Sequence, residues 1–369
     1  MKIFFIGQKG IPSISGGVEK HVEDLAPCLV KQGHEVFVYT RFNYTSRKLK
    51  EYKGVKLIGL PTLPTKHGDA ITHTFLVCLH LFFQRKVDVV HFHSIGPSFW
   101  IWLARILKPK TLIVATFHSR CYHHRKWGRL ARLSLKTGER MCVRYADKLV
   151  VVSRILKEYV KETYNREAYY IPNGVLTPSV LDVDGIRAEW GLEGKDYFLS
   201  VSRLVRHKGI HHLIRAFKEL ETDKKLIIAG GGANTDDYVQ ELKELAQEDD
   251  RIMLVGSQSG KLLGELYSNA FAFVQASEAE GLSIALLESM SYGLPVIASN
   301  IKENREALDD GGLFFENKDH RNLKDKMEYA LKDQEALKRS GDKNKTRATT
   351  HYNWDNIVND LEQVYSGKF

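Results

Sequence analysis

Two doubly wound parallel-sheet domains of the α/β class are what this 369-residue sequence predicts. Three observations lead there. Short apolar runs alternate with stretches of helical periodicity, a pattern that demands right-handed crossovers and a parallel sheet. The second half of the chain repeats the plan of the first. Between the halves lies IPNGVLTPSVLDVDG (residues 171–185), rich in turn formers and without helical periodicity. The length itself favours two domains over one.

Taken in order, the buried strands of the first half are KIFFI, EVFVY, VKLIGL, VDVVHFH, TLIVATF, KLVVVS and AYYIPN. Amphipathic helices lie between them, among them Val18–Gln32, with Pro27 inside it, and Arg125–Tyr145. The second half offers YFLSVS, KLIIAG, RIMLVG, AFAFVQAS and PVIAS as strands. A first domain over 1–175 and a second over 176–350 follow. A last helix opens after Asn353, and the segment 351–369 is expected to pack back toward the first domain. Sheets of this kind bind ligands outside the carboxyl ends of their strands, so the cleft between the domains is the expected site.

Composition narrows the class. The opening MKIFFI is stopped by Gly7, too short for an export core. The longest apolar run, Phe75–Phe83, is interrupted by His80 and falls short of the roughly 18–20 residues of a spanning helix. The four cysteines are scattered without ligand-like spacing, which predicts reduced thiols and a cytoplasmic location. Charge is unevenly placed. Residues 1–180 hold 29 Lys and Arg against 12 Asp and Glu, while the remainder is mildly acidic. The first half therefore suits an anionic surface or substrate.

The turn GQKGIPSISGG after the first strand ends in Gly16 and Gly17, which open a helix. Free amides and the positive dipole end suit an anion there. The spacing is neither GxGxxG nor a P-loop, which argues against a dinucleotide. A strand–helix turn needing glycine for backbone reasons alone explains the same residues.

In the second half, Arg203 and Lys208 follow a strand and precede a helix, a placement suited to a diphosphate or to an ordinary solvated loop. Glu280 lies in a turn at a strand end, and Glu288 lies in the helix beginning near Ser283. Gly281, Leu282 and Ser283 bring backbone amides beside both carboxylates, which could accept from sugar hydroxyls or merely cap the helix. Asn173 and Gly174 sit at the hinge, where a plain turn is equally consistent. Asp182 and Asp184 match a DxD by chance, since no apolar strand precedes them.

In the first half, His93 and His118 end strands, as structural groups or as cleft residues. No carboxylate or cysteine accompanies them at ligand spacing, so no metal site is expected. Arg125, Arg129, Arg132, Lys136, Arg140 and Arg144 step by three or four along one helical face. Trp127, Leu130, Ala131, Ser134, Gly138, Met141 and Tyr145 are read onto the other. Such a basic amphipathic helix suits an anionic membrane surface as well as plain solvation.

Together these segments resemble the GT-B glycosyltransferases of glycosyltransferase family 4. The resemblance runs from GGVEKHVEDLA through VVHFHS, ATFHS, ADKLVVVS, YYIPNGV, SVSRLVRHKGI and EGLSIALLESMSYGLPVIAS to the terminal helix, in family order. It implies two Rossmann-like domains facing across a cleft. It also implies a retaining sugar transfer from a nucleoside diphosphate sugar, UDP or GDP, without an obligatory metal or other cofactor. By position, Gly16 and Gly17 would lie against the diphosphate and the acceptor, Asn173 would line the donor site, and His118 would sit beside the transferred sugar. Arg203 and Lys208 would neutralise the diphosphate, Glu280 would hold sugar hydroxyls, Glu288 the ribose, and the backbone near Gly256 the base. The acceptor expected is a lipid-linked saccharide or cell-surface glycan precursor, at the inner face of the membrane, with no nucleic-acid partner. Two departures stand out: Leu176 follows Val175 where the family has an acidic residue, and NIKENREAL replaces a glycine-rich turn before Glu306.

Two rivals remain at this level. A sugar-nucleotide 2-epimerase of the same fold would want further carboxylates in the cleft. A lipid- or RNA-binding protein would leave Glu280, Glu288, Arg203 and Lys208 without purpose.

Overall fold

The computed structural model describes every residue but 66–67, 124–127 and 234. The chain divides into two compact units, Met1–Gly174 with Trp354–Phe369, and Val175–Asn353. The expected division at 350 falls in the last turn of the helix Gln334–His351, and the chain re-enters the first unit at Trp354.

Among the described residues the first unit holds eight strands: β1 (Lys2–Ile6), β2 (Glu35–Arg41), β3 (Glu51–Tyr52), β4 (Val55–Leu60), β5 (Val89–His93), β6 (Leu112–Phe117), β7 (Lys148–Val151) and β8 (Tyr169–Tyr170). Their order is β3-β4-β2-β1-β5-β6-β7-β8. Every pairing is parallel except that of β3, a short hairpin partner of β4 that the sequence pattern does not reveal. Central strands covered on both faces must be apolar throughout, and Ile3, Phe4, Phe5 and Ile6 are fully buried. The helix Gly17–Lys31 turns Val22, Leu25, Ala26 and Leu29 onto the sheet, a spacing that keeps one apolar stripe inward. Ile357, Val358, Leu361 and Val364 of the terminal helix Trp354–Ser366 complete the same core.

The second unit holds β9 (Tyr197–Val201), β10 (Lys225–Ala229), β11 (Ile252–Gly256), β12 (Ala272–Gln275), β13 (Val296–Ser299) and β14 (Gly312–Phe315), all parallel, in the order β11-β10-β9-β12-β13-β14. Counted from its own first strand this is 3-2-1-4-5-6, the dinucleotide-fold order. Its core joins Phe198, Ile228 and Val274 of the sheet to Leu213, Phe217, Leu242 and Met327 of the covering helices. The crossovers reverse direction at β1/β5 in the first sheet and at β9/β12 in the second.

Candidate functional site

In the second unit the loops leaving β9 and β12 meet at that reversal, where open α/β sheets bind ligands. The first loop carries Arg203 and Lys208 and ends at Gly209, whose φ of +67° starts the helix Ile210–Lys218. A Cβ on Gly209 would collide with the carbonyl of Ala276, so glycine is what lets the two loops close. Glu278 N–H donates to the His207 carbonyl at 2.8 Å, fastening them further. Across this seam Lys208 Nζ donates to Glu280 Oε1 at 2.5 Å, with both side chains mostly buried. Gln275 Nε2 donates to the same oxygen at 2.8 Å and to Ser277 Oγ at 3.0 Å. Charge-assisted bonds out of water hold a carboxylate firmly in place. Arg203 is half-buried beside this pair in sequence, and no hydrogen bond or ion pair to its guanidinium occurs among the described residues.

Glu288 lies on the helix Ile284–Ser291 and accepts from Tyr267 Oη at 3.0 Å. Burial, and next the Glu288 charge, raise the Tyr267 phenol well above its ordinary pKa, so it stays a donor. Ser283 caps this helix, its hydroxyl accepting from Leu286 N–H.

The first unit builds its reversal differently. Gly7, directly after β1, has a φ of +116°, and a Cβ there would strike the His93 carbonyl at the end of β5. Behind that contact stand four buried histidines: 21, 91, 93 and 118. His93 Nδ1 and His118 Nε2 share a hydrogen bond of 3.1 Å, and the His91 and His93 rings stack with centroids 4.3 Å apart. His91 is bonded on both sides, to Tyr365 Oη and Thr116 Oγ1, each at 2.7 Å. His21 comes from the first turns of Gly17–Lys31 and is hydrogen-bonded to Asn173. Burial pushes His21 down to about 4 and His91 to about 3, and holds His93 and His118 well below the usual histidine range. The cluster is therefore neutral at physiological pH. His21 Nδ1, His93 Nε2 and Trp354 Nε1 are buried without a protein partner among the described residues. Nitrogens of His21, His93 and His118 lie within 4.8 Å of one another, as do ligand atoms of His211, His212 and Glu278 in the second unit. Either group has donors a metal could use.

Residues 182–347 match the family model for glycosyl transferases group 1, and residues 15–177 match that for glycosyltransferase family 4. The fold agrees with that of sucrose-phosphate synthase from Thermosynechococcus elongatus, at a TM-score of 0.84 and 21% identity over 99% of this chain and 98% of that one. The chain is a glycosyltransferase with the GT-B fold. Anabaena HepE, solved with UDP and glucose, superposes at a TM-score of 0.82 with 18% identity over the whole of both chains. Among curated relatives, the alpha-monoglucosyldiacylglycerol synthase of Streptococcus pneumoniae is 28% identical over 85% of this chain and 75% of its own.

Several residues picked out in the glycosyltransferase's sequence come together within their own unit. Lys208 and Glu280 touch, and Gly281, Leu282 and Ser283 join them to the helix of Glu288. Gly256 closes β11, its carbonyl accepting from Gly230 N–H at 2.7 Å. Asn173 meets His21, and Gly17 heads the helix that carries that histidine. Glu306 lies half-buried on the helix Lys302–Leu308. Asp184 starts the helix Asp184–Trp190, and no metal-ligand group forms around it among the described residues.

Other readings change. Arg125 and Trp127 lie outside the described residues. The basic helix runs Arg129–Tyr145 and buries Gly138, Glu139, Cys142 and Val143. Arg129, Arg132, Lys136, Arg140 and Arg144 are exposed, and so is Leu130, by 84%. The glycine turn carries its own carboxylate: Glu19 sits against Gly16 and accepts from Lys9 N–H at 3.1 Å. Sequence reasoning also missed His21, Gln275 and the run Gly230–Gly232. Only the glycine run, directly after a strand, left a signal that could have been read.

Proposed function

We propose that this glycosyltransferase moves a hexosyl group from a UDP- or GDP-sugar to a hydroxyl of a saccharide or lipid-linked acceptor, retaining anomeric configuration and requiring no metal. The Lys208–Glu280 pair at the β9/β12 reversal is the observation that carries this reading. As the glycosidic bond breaks, negative charge grows on the leaving diphosphate. Lys208 and Arg203 are the cations placed to meet it, and a preorganised group of this kind is typically worth about 10²–10³-fold. Glu280, fixed by Gln275, accepts from hydroxyls of the transferred sugar. Glu288 takes the ribose, and the backbone near Gly256 the base.

His118 lies beside the transferred sugar in this reading. As a neutral imidazole bonded to His93, it can orient a hydroxyl without adding charge. The acceptor hydroxyl attacks the face from which the diphosphate leaves and gives its proton to a leaving phosphate oxygen. Gly16, Gly17 and Asn173 complete the donor and acceptor contacts, although Glu19 beside Gly16 makes that turn a poor seat for a full diphosphate charge. HepE with UDP supports the donor class. The streptococcal relative, by its name a synthase of a glucosylated diacylglycerol, supports a lipid acceptor. No helix among the described residues is long and apolar enough to cross a membrane. A peripheral hold on the inner membrane face through Arg129, Arg132, Lys136, Arg140 and Arg144 accords with that.

A thermal-shift panel of UDP, GDP, ADP and their sugars, with NAD as control, tests the reading. Stabilisation by one nucleoside diphosphate and its sugar is expected. No shift with any of them would overturn it.

A further inference from the structure

The helix Gly68–Phe83 is apolar on both sides. His73, Thr74, Val77, Cys78 and Leu81 face inward and are buried. The outer side of a solvated helix should be polar. Here it carries Phe75, Leu76, Leu79, Phe82 and Phe83, spaced to form one continuous stripe, with Phe82 56% and Phe83 77% exposed. At its start the stripe opens into an apolar groove of about 350 Å³, lined by Pro61, Leu63, Ile71, Phe75, Leu76 and Trp100. At its end stand the exposed cations Arg85 and Lys86. Gly68–Phe83 packs on the helix Ile101–Leu107, which packs on Arg129–Tyr145. Both neighbours show apolar side chains outward, Ile106 at 64% and Leu133 at 61%, next to Leu130.

We propose that this stripe inserts into the acyl region of an anionic lipid monolayer, with the basic side chains of the three helices at the headgroups. The inference deepens the membrane part of the proposed function and rests on it. Three features choose lipid as the occupant. Residues 68–110 hold five Lys and Arg against two acids, Asp69 and Asp88, with Arg105 paired to Asp147, a rim that stays net basic and complementary to anionic headgroups. That same rim would repel a second copy of itself. The apolar area is a continuous strip on adjacent helices, the form in which interfacial helices bury one face.

The test uses the full chain, vesicles of phosphatidylcholine with and without phosphatidylglycerol, and sedimentation at low and high salt. Electrostatic attachment falls away as salt screens it, whereas insertion of apolar side chains persists. Wild-type protein is expected to stay bound to the anionic vesicles at about 0.5 M NaCl. The double variant Phe82→Ser, Phe83→Ser should lose at least about tenfold of this salt-resistant partitioning, since each buried phenyl ring contributes that order. It should keep its low-salt binding and the donor thermal shift. Neutralising Arg129, Arg132, Lys136 and Arg140 to Gln should do the reverse, removing low-salt recruitment first. Complete release of wild type at high salt, or unchanged partitioning of the serine variant, would overturn insertion. A wild-type dimer that the serine variant splits, seen by light scattering, would assign the stripe to a second copy instead. Loss of the donor shift in wild type would strike the transferase reading and leave this one standing.

Discussion

The two sheet reversals share a plan and differ in chemistry. In each, a glycine that follows the first strand lies against a carbonyl at the end of the strand across the reversal: Gly7 on His93 of β5, Gly209 on Ala276 after β12. Above that common joint the first unit sets neutral rings, and the second sets a cation against a carboxylate. The difference teaches that burial was used twice with opposite effect. The four packed histidines are held neutral near pH 7, by desolvation first and, at His91, His93 and His118, next by neighbouring rings. Lys208 instead meets the carboxylate of Glu280 directly, and Gln275 bonds to the same oxygen. One joint offers neutral hydrogen-bonding rings, the other a cation paired with a carboxylate.

The largest test of this contrast removes the charges. Lys208→Ala or Glu280→Ala should each lower single-turnover transfer by about 10²–10³-fold or more, with circular dichroism unchanged. The double variant should lose little beyond the worse single one, because the two act as a unit. Additive losses would mean that the pair is not one device. Next comes the joint itself. Gly209→Ala, set at positive φ against a carbonyl, should cost roughly 2–4 kcal/mol in denaturant melts, and Gly7→Ala a similar amount. A loss under about 0.5 kcal/mol at either would show that the loops can part freely.

The smallest effect at any single pH step is the pH response of the first unit. A histidine whose folded pKa is depressed leaves stability intact above its unfolded value near 6.5 and loses it as pH falls toward the folded one. For His21 that window runs from about 6.5 down to about 4. Each such group should contribute a slope of up to about 1.4 kcal/mol per pH unit within its window. Melting temperatures taken from pH 7 to 4.5 should fall accordingly. His91→Gln, which removes one titrating ring, should flatten that fall, and a profile as steep as wild type would contradict the neutral cluster.

Much of this was legible in the sequence. Strands buried on both faces are apolar runs, and Lys208 and Glu280 were visible as polar residues just past such runs. Gln275 was not, because it is the last residue of a buried strand and its meaning depends on a partner five residues on across a turn. His21 looked like one more polar residue near a helix start. Its partners lie on β5, just past β6 and at the hinge, contacts that no local pattern encodes. Charge spacing set the phase of the basic helix, but it did not reveal how far Leu130 stands out from the surface. The apolar run Phe75–Phe83 was measured only against the length of a spanning helix. Whether its outer side was covered needed the fold.

The return of the chain to the first unit has a consequence for biogenesis. Trp354 packs against Gly174, and Tyr365 holds His91 by a hydrogen bond. A nascent chain that has delivered residues 1–174 therefore still lacks side chains that close its own core. The second unit is continuous, so it can complete itself first, against the usual amino-to-carboxyl order of cotranslational folding. Until Trp354–Ser366 is added, His91 lacks its Tyr365 partner and the first core lacks Ile357, Val358, Leu361 and Val364.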